Sequence, residues 1–415
     1  MPRSSVSFPG SSYPLHLAVA LDGAGWHPAA WREQRARPDA LLTARYWADL
    51  VATAESGLLD FVTIEDALSL QSTLPDGPDG RTDRVRGRLD AVLIASRIAP
   101  LTRHIGLVPT ATTTHTEPFH ISKAIATLDH VSEGRAGWRV QVSRPAENRH
   151  FGRREVGPVS LTAPEGPGVR AYVEEHFAEA EDFVEVARRL WDSWEDDAEI
   201  RDAATGRFVD RTRLHTVDFE GRWFRVRGPG IVPRPPQGQP LVTLLAHGGP
   251  PYRLGARTAD VIFTTPHGVD DVRASVAEIR AAQEVAGRAD ATLHVFADIV
   301  VLLGETQAAA DERAARLAER AGEPFTSDAP IFVGTASALA DTLLEWQRAG
   351  LTGYRLRPAV LPDDLDAVVG ALVPELRRRG VFRGSYAPES LRARLGLPRP
   401  ANRYATANRP ATAAR

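Results

Sequence analysis

Between Ile105 and Ser143 the chain reads IGLVPTATTTHTEPFHISKAIATLDHVSEGRAGWRVQVS, and no other stretch restricts the fold as tightly. Ile105 to Pro109 is short and apolar, as a buried strand should be, and Thr110 to Thr116 then breaks into hydroxyls and a histidine. Helical spacing runs from Pro118 to Val131, with proline at a first-turn position where its missing N–H costs nothing. Gly134 ends that helix, and Ala136 to Val142 returns to strand. A strand, helix and strand this close together form a βαβ unit, which demands a parallel sheet with right-handed crossovers. The hydroxyl and histidine cluster then falls at the carboxyl end of a strand, where such sheets bind ligands.

The same alternation recurs on both sides. Leu15–Leu21, Leu59–Glu65, Leu241–Ala246, Val261–Thr264, Leu293–Leu303 and Tyr354–Leu356 read as further strands. Helices are predicted over Ala40–Ser56, Leu89–Ile98, Ala171–Trp194, Ser275–Val285, Gln307–Ala321, Ala336–Ala349 and Leu365–Arg379. Gln71–Arg86 and Glu147–Val169 read as loops. The segment from Glu199 to Gly230 changes register and alternates like a β-hairpin turning at Glu220-Gly221. Strand–helix alternation continues around it, so it is expected to be an insertion, about 197–229, after strand four. The sum is an α/β TIM (β/α)8 barrel over residues 15–380, with insertions after strands four and seven. An open doubly wound sheet is the alternative arrangement. Residues 1–14 form an N-terminal arm and 381–415 a C-terminal extension, expected to be loose after Pro398.

Composition removes several function classes. A net charge of −3 and a pI near 6.5 give no electrostatic basis for binding nucleic acid or an anionic membrane. The absence of cysteine excludes disulfides, thiolate nucleophiles and Cys-ligated metals. No run of apolar residues reaches membrane-span length and the N-terminus lacks a signal core, so a cytoplasmic location is expected. Lys123 is the only lysine among 50 basic residues and lies on a predicted outer helix, which disfavours Schiff-base chemistry. The histidines are scattered and no H-E-x-x-H motif is present, so no metal site is expected. LDGAGWHP after strand one has Pro28 where a dinucleotide fingerprint needs its third glycine, so no built-in nicotinamide domain is read there.

Three constellations remain. Asp66, after Glu65 at the end of strand two, sits where a carboxylate either orients a ligand's N–H or hydroxyl or caps a helix. Thr110 and Thr112 to Thr114 can face a ligand or merely suit a strand, and His115 can donate a proton near neutral pH or be held by its loop. AHGGPPYRLGA after strand five puts Gly248 and Gly249 at a helix start, suited to a phosphate or simply a βα turn.

IGLVPTATTTHTEPFH with ATLDHVSEGRAGWRVQVS, FVTIEDAL, EAEDFVEVARRLWDSWEDDAEIRD through RPPQGQPLV, and ARTADVIFTT together resemble the bacterial luciferase-like flavin-dependent monooxygenase superfamily. The branch they resemble is that of nitrilotriacetate, EDTA, dibenzothiophene-sulfone and long-chain-alkane monooxygenases. The resemblance covers most of residues 15–265 and weakens to about residue 380. It implies a two-component enzyme in which reduced FMN arrives from a separate NAD(P)H:flavin reductase. There O₂ adds at the flavin C4a atom and the peroxide oxygenates a small organic substrate. A homo-oligomer is also implied, with Trp191, Trp194 and the hairpin as candidate surface.

By that resemblance Asp66 matches a flavin-contacting aspartate, Thr110 and Thr112 match a hydroxyl pair, and His115 is the candidate proton donor or peroxide contact. Other positions depart. In W-N-x-V-T-S the Asn becomes Arg139 and the Thr becomes Val142; a His and a Tyr on the long helix become Val173 and Phe177; a phosphate-contacting Ser falls at Gly248. Three readings follow: FMN held differently with Arg139 or Arg253 supplying charge, deazaflavin F420 as cofactor, or a barrel that binds a ligand without catalysis.

Overall fold

In the computed structural model, which describes residues 15–72, 74, 78–148, 150–151 and 167–405, eight parallel strands close on themselves. They are β1 (His16–Leu21), β2 (Phe61–Ile64), β3 (Gly106–Thr112), β4 (Gly137–Gln141), β5 (Leu241–Leu245), β6 (Val261–Thr264), β7 (His294–Leu303) and β8 (Gly353–Pro358). Each pairs in parallel with the next, and the circle shuts where His16 of β1 lies opposite Gly353 of β8. Helices α1 (Ala44–Ser56), α2 (Ala91–Ile98), α3 (Pro118–Val131), α4 (Pro167–Asp192), α5 (Gly249–Thr258), α6 (Val269–Val285), α7 (Gln307–Ala321) and α8 (Ala336–Arg348) surround it. This is the expected TIM barrel rather than an open sheet.

The period-two alternation of the strands explains the two cores. Outward residues such as Leu17, Val62, Leu107, Trp138, Val242, Ile262 and Val295 pack against helices in one large cluster. Inward residues Ala18, Phe61, Val108, Leu241, Phe263 and Phe296 form a second cluster inside the barrel, and Leu391, Leu395 and Leu397 join it from the C-terminal segment. That segment, with a short helix Leu391–Arg394, seals the end of the barrel at which the strands begin. Gly106 leaves the room it needs, since a Cβ there would lie 2.7 Å from the Leu391 side chain. Arg383 donates to the buried Asp60 carboxylate, which also accepts from Leu17 N–H at 2.8 Å and faces His16 Nδ1 at 3.2 Å.

Several sequence expectations shift. Strand β3 continues through Thr110 to Thr112 instead of breaking at Pro109. Helix α1 begins at Ala44, where the Thr43 hydroxyl accepts from Tyr46 N–H, and α6 begins at Val269 rather than Ser275. The expected single hairpin is two short ribbons: Glu199–Asp202 pairs with Arg207–Val209, and Phe219–Glu220 with Arg225–Val226. An unforeseen strand, Ile331–Gly334, pairs with the far half of β7. The segment expected to be a loop over Glu147–Val169 holds the end of a short helix, Pro145–Asn148, and the start of α4. The rest of it lies outside the described residues except 150–151, as does the N-terminal arm 1–14. The tail is not loose as far as residue 405. Arg399 pairs with Asp196, and Asn402 donates to the carbonyls of Asp192 and Trp194. Trp191 turns inward, buried and donating to Ser122 O at 2.9 Å, so it is not free surface for a second subunit, whereas Trp194, which donates to Gly230 O at 2.8 Å, stays half-buried. Among the described residues no helix is long and apolar enough to cross a membrane.

His294 joins the C-terminal segment to the barrel. Its Nε2–H donates to Leu395 O at 2.7 Å, and Nδ1 faces Thr352 Oγ1 at 3.1 Å, an arrangement that suits the neutral ring. Burial lowers its pKa from 6.5 to about 4. The unfolded chain therefore binds a proton near pH 6.5 that the folded chain refuses until about 4, so stability falls as pH drops through that window. The contribution is on the order of 3 kcal/mol. His27, buried and lowered likewise to about 4, adds to the same slope. The urea midpoint is expected to fall steeply from pH 7 to pH 4.5, less so in His294→Gln. Identical slopes in the two proteins would remove His294 from this account.

Candidate active site

The carboxyl ends of the strands carry charge deep into the barrel. Arg139 on β4 donates through Nη1 to Glu65 Oε2 and to Thr110 Oγ1, both at 3.0 Å, and to Gln141 Oε1 at 3.2 Å. Arg355 on β8 reaches Glu65 Oε1 at 3.2 Å and Asp298 Oδ1 of β7 at 2.8 Å, and its guanidinium lies 4.3 Å over the Phe263 ring. Arg357 donates from Nε to Asp298 Oδ2 at 2.9 Å and from Nη1 to Asp328 Oδ1 at 2.6 Å. Three guanidinium groups thus meet three carboxylates, so the layer is neutral, as buried charge requires. Burial works against ionising Glu65 and Asp298, yet the neighbouring arginines outweigh it and hold both below the ordinary carboxylate range. Burial lowers Arg139 to about 10, still protonated at neutral pH.

Above this layer opens a cavity of about 440 Å³, within the size range of small-ligand sites. Asp22, Asp66, Arg139, Gln141, His247 and Arg357 place it at the carboxyl ends of β1, β2, β4, β5 and β8, with Trp26, Leu70 and Leu245 as apolar wall. Asp66 Oδ2 accepts from Ala91 N–H at 2.9 Å, which ties it to the start of α2, and Oδ1 accepts from Ala67 N–H at 2.7 Å. Burial pushes its pKa up. Each oxygen keeps a second lone pair, so a cap and a ligand contact are compatible.

Of the residues singled out in the sequence, Asp66 and Arg139 share this cavity, and Thr110 lies buried directly against Arg139. The others do not line it. The Thr112 carbonyl accepts from Thr116 Oγ1, fixing the loop. His115, at φ 66°, has Nε2 2.5 Å from Asn148 Oδ1 and stacks on Phe151 at 4.6 Å. Gly248 caps α5 at φ 115°, but the following N–H groups are poorly placed for a phosphate. Pro250 and Pro251 have none, and Gly249 N–H already donates to Glu278 Oε1 at 3.0 Å. Arg253 pairs with Glu174 of α4 at 2.6 Å, on the outer surface, and is not available to the cavity. One residue before the positions where a His and a Tyr were sought, Val173 and Phe177, stand Tyr172 and His176, the two types in reversed order. Tyr172 donates to Ser143 O and accepts from Asn148 Nδ2, both at 3.0 Å, with the His176 ring stacked on it.

Residues missed from sequence are Glu65, Arg88, His247, Asp298, Arg355 and Arg357. Three of these had a readable signal. A charge inside an apolar strand (Asp298 in HVFADIVVLL) and two arginines at alternate positions of a buried strand (Arg355 and Arg357) must find partners facing the barrel interior.

Residues 26–353 match the luciferase-like monooxygenase family. The chain is 31% identical to the N-acetyl-S-(2-succino)cysteine monooxygenase of Bacillus subtilis (strain 168), over 94% of this chain and 98% of that protein. It is 30% identical to nitrilotriacetate monooxygenase component A of Aminobacter aminovorans, over 95% and 99%. Its fold superposes on that of a long-chain alkane monooxygenase with a TM-score of 0.81, at 23% identity over 92% of this chain and 95% of the other. The EDTA monooxygenase of Chelativorans sp. BNC1 superposes with a TM-score of 0.79, at 24% identity over 93% and 99%. The chain therefore belongs to the luciferase-like monooxygenase family and is a flavin-dependent monooxygenase.

Proposed function

We propose that this chain is the oxygenating component of a two-component system, taking FMN already reduced by a separate NAD(P)H:flavin reductase and using O₂ to oxygenate a small organic substrate. One observation carries the placement of the cofactor. Arg139, buried on the cavity floor, has an Nε–H with no acceptor among the described residues. Such a donor is costly unless something occupies it, and the carbonyl edge of a flavin ring supplies that acceptor. The rest of the cavity fits the group. Trp26, Leu70 and Leu245 offer apolar surface to a flat ring, Asp66 can accept from its N–H or ribityl hydroxyls, and exposed Arg144 on the rim suits a phosphate. In this reading Arg144 takes over from the α5 start, whose donors are missing or engaged.

When bound, the reduced flavin supplies the electrons that activate O₂. The chain's own residues exclude water, orient the ring and handle protons. His247 lines the cavity with Nδ1 3.0 Å from Thr265 Oγ1 and Nε2 3.8 Å from Asp328 Oδ2, so it can hold or move a proton at the rim. On this geometry His247 replaces His115 as the candidate proton donor.

Anaerobic titration with reduced FMN, followed by absorbance, tests the assignment. Wild type is expected to bind saturably. Arg139→Met is expected to bind about 10–100-fold more weakly, as for loss of a hydrogen bond to a charged group. Asp66→Ala should weaken binding by less, with both variants folded by circular dichroism. No saturable FMN binding in either redox state would overturn the proposal, and tight F420 binding instead would change the cofactor.

A further inference from the structure

A second pocket, of about 290 Å³, adjoins the mouth cavity and is built differently. Glu65 and Arg88 line both. Beyond them the wall is Trp31, Leu41, Leu42, Trp47, Leu89 and Ile94. The two indoles have their polar edges engaged: Trp31 Nε1 donates to Asp83 O at 2.9 Å and Trp47 Nε1 to Leu41 O at 3.0 Å. Those bonds pin the rings and leave the indoles to offer the pocket apolar ring surface. Leu42 is 72% exposed at its edge, an apolar side chain that an occupant would shield.

The arginines around this pocket carry carboxylate partners of their own. Arg88 grips Asp22 through both oxygens, with Nε 2.9 Å from Oδ1, Arg86 pairs with Asp79, and Arg84 with Glu323. Among the described residues, Arg84 Nε alone of these guanidinium nitrogens is buried without a partner, and a full anionic charge would still compete with the three carboxylates already in place. The Asp22–Arg88 pair also stands at the boundary, for Asp22 lines the mouth cavity, Gly23 the apolar pocket, and Arg88 both. Size narrows the occupant further, since a cavity of about 150 Å³ lined by aliphatic and aromatic residues holds benzene.

We propose that this apolar pocket is where the organic substrate binds, and that the substrate is a neutral, apolar compound of about two fused rings rather than a polycarboxylate. This rests on the reading of the mouth cavity as the flavin site, because the shared wall at Glu65 and Arg88 brings the two ligands side by side.

Calorimetric titration of the full chain at pH 7, with and without reduced FMN, tests it with three probes: 2-naphthol, naphthalene-2-carboxylate and nitrilotriacetate. The neutral naphthol is expected to bind saturably without flavin, the carboxylate at least tenfold more weakly, and nitrilotriacetate not at all. Leu42→Asp, at an exposed position that leaves folding intact, should weaken naphthol binding at least tenfold and leave FMN binding unchanged. Ile94→Phe, which narrows the pocket, should also weaken naphthol. Saturable FMN binding with no naphthol binding would overturn this inference alone. So would naphthol affinity indifferent to both substitutions, or tighter binding of either acid. Naphthol binding without any FMN binding would keep the pocket as an apolar ligand site but overturn its assignment to the substrate.

Discussion

Asp298→Ala is expected to unfold at a much lower urea concentration than wild type, a loss of about 3–5 kcal/mol. The carboxylate is completely buried and accepts from both Arg355 and Arg357. Removing it leaves two guanidinium groups facing each other inside the barrel, with Glu65 and Asp328 as their remaining partners. Asp298→Asn keeps the shape and part of the hydrogen bonding but not the charge, so it should fall between the two. The measurement is the equilibrium urea transition by far-UV circular dichroism. A midpoint for Asp298→Ala equal to wild type would show that the arginines do not depend on this carboxylate, and the neutral-layer account would fail.

The second large effect lies at the opposite end of the barrel. Leu391→Ala and Leu395→Ala should each cost about 2–5 kcal/mol, the range for emptying a buried leucine site. Both side chains are essentially inaccessible and pack with Phe61, Phe263 and Phe296. Leu93→Ala on α2, 69% exposed, is the control and should stay within about 0.5 kcal/mol. If the two inner leucines behaved like Leu93, the C-terminal segment would be an ornament on a barrel that seals itself.

What could be read in advance divides along one physical line. Periodicity and punctuation are local, so α3 was legible to the residue from Pro118, its helical spacing and the glycine that follows. Most of the barrel strands announced themselves as apolar runs, whereas β4 (GWRVQ) and β8 (GYRLRP) carry charge. The Ile331–Gly334 strand is itself apolar (IFVG) yet is not read as a strand from the sequence, although β7 has ten residues beside a four-residue β6, and that excess length implied a further partner. Pairing is not local. That Arg139 would meet Glu65 and not its neighbour Asp66 depends on which of two adjacent side chains faces the barrel axis, and a strand end does not fix that. Gly248 reads, from the helix start that follows it, as suited to a phosphate or simply as a βα turn; Pro250 and Pro251 already limit its donors, but that Glu278, a full helix away, takes the Gly249 N–H is not local. The leucines of LRARLGLP showed apolarity without direction, and only the closed barrel supplies the hole they fill.

The sealed end has a consequence for how the molecule is made. Asp60 finds Arg383 across 323 residues of chain, and His294 finds Leu395 across 101. At about 5–20 residues per second, a ribosome separates Asp60 from its partner by some tens of seconds. For that interval Phe61 and its neighbours have emerged while the leucines that cover them have not. The barrel is thus a vessel whose base is delivered after its wall, and a nascent chain stalled before residue 391 would present an open aromatic ring to whatever surveys unfinished proteins.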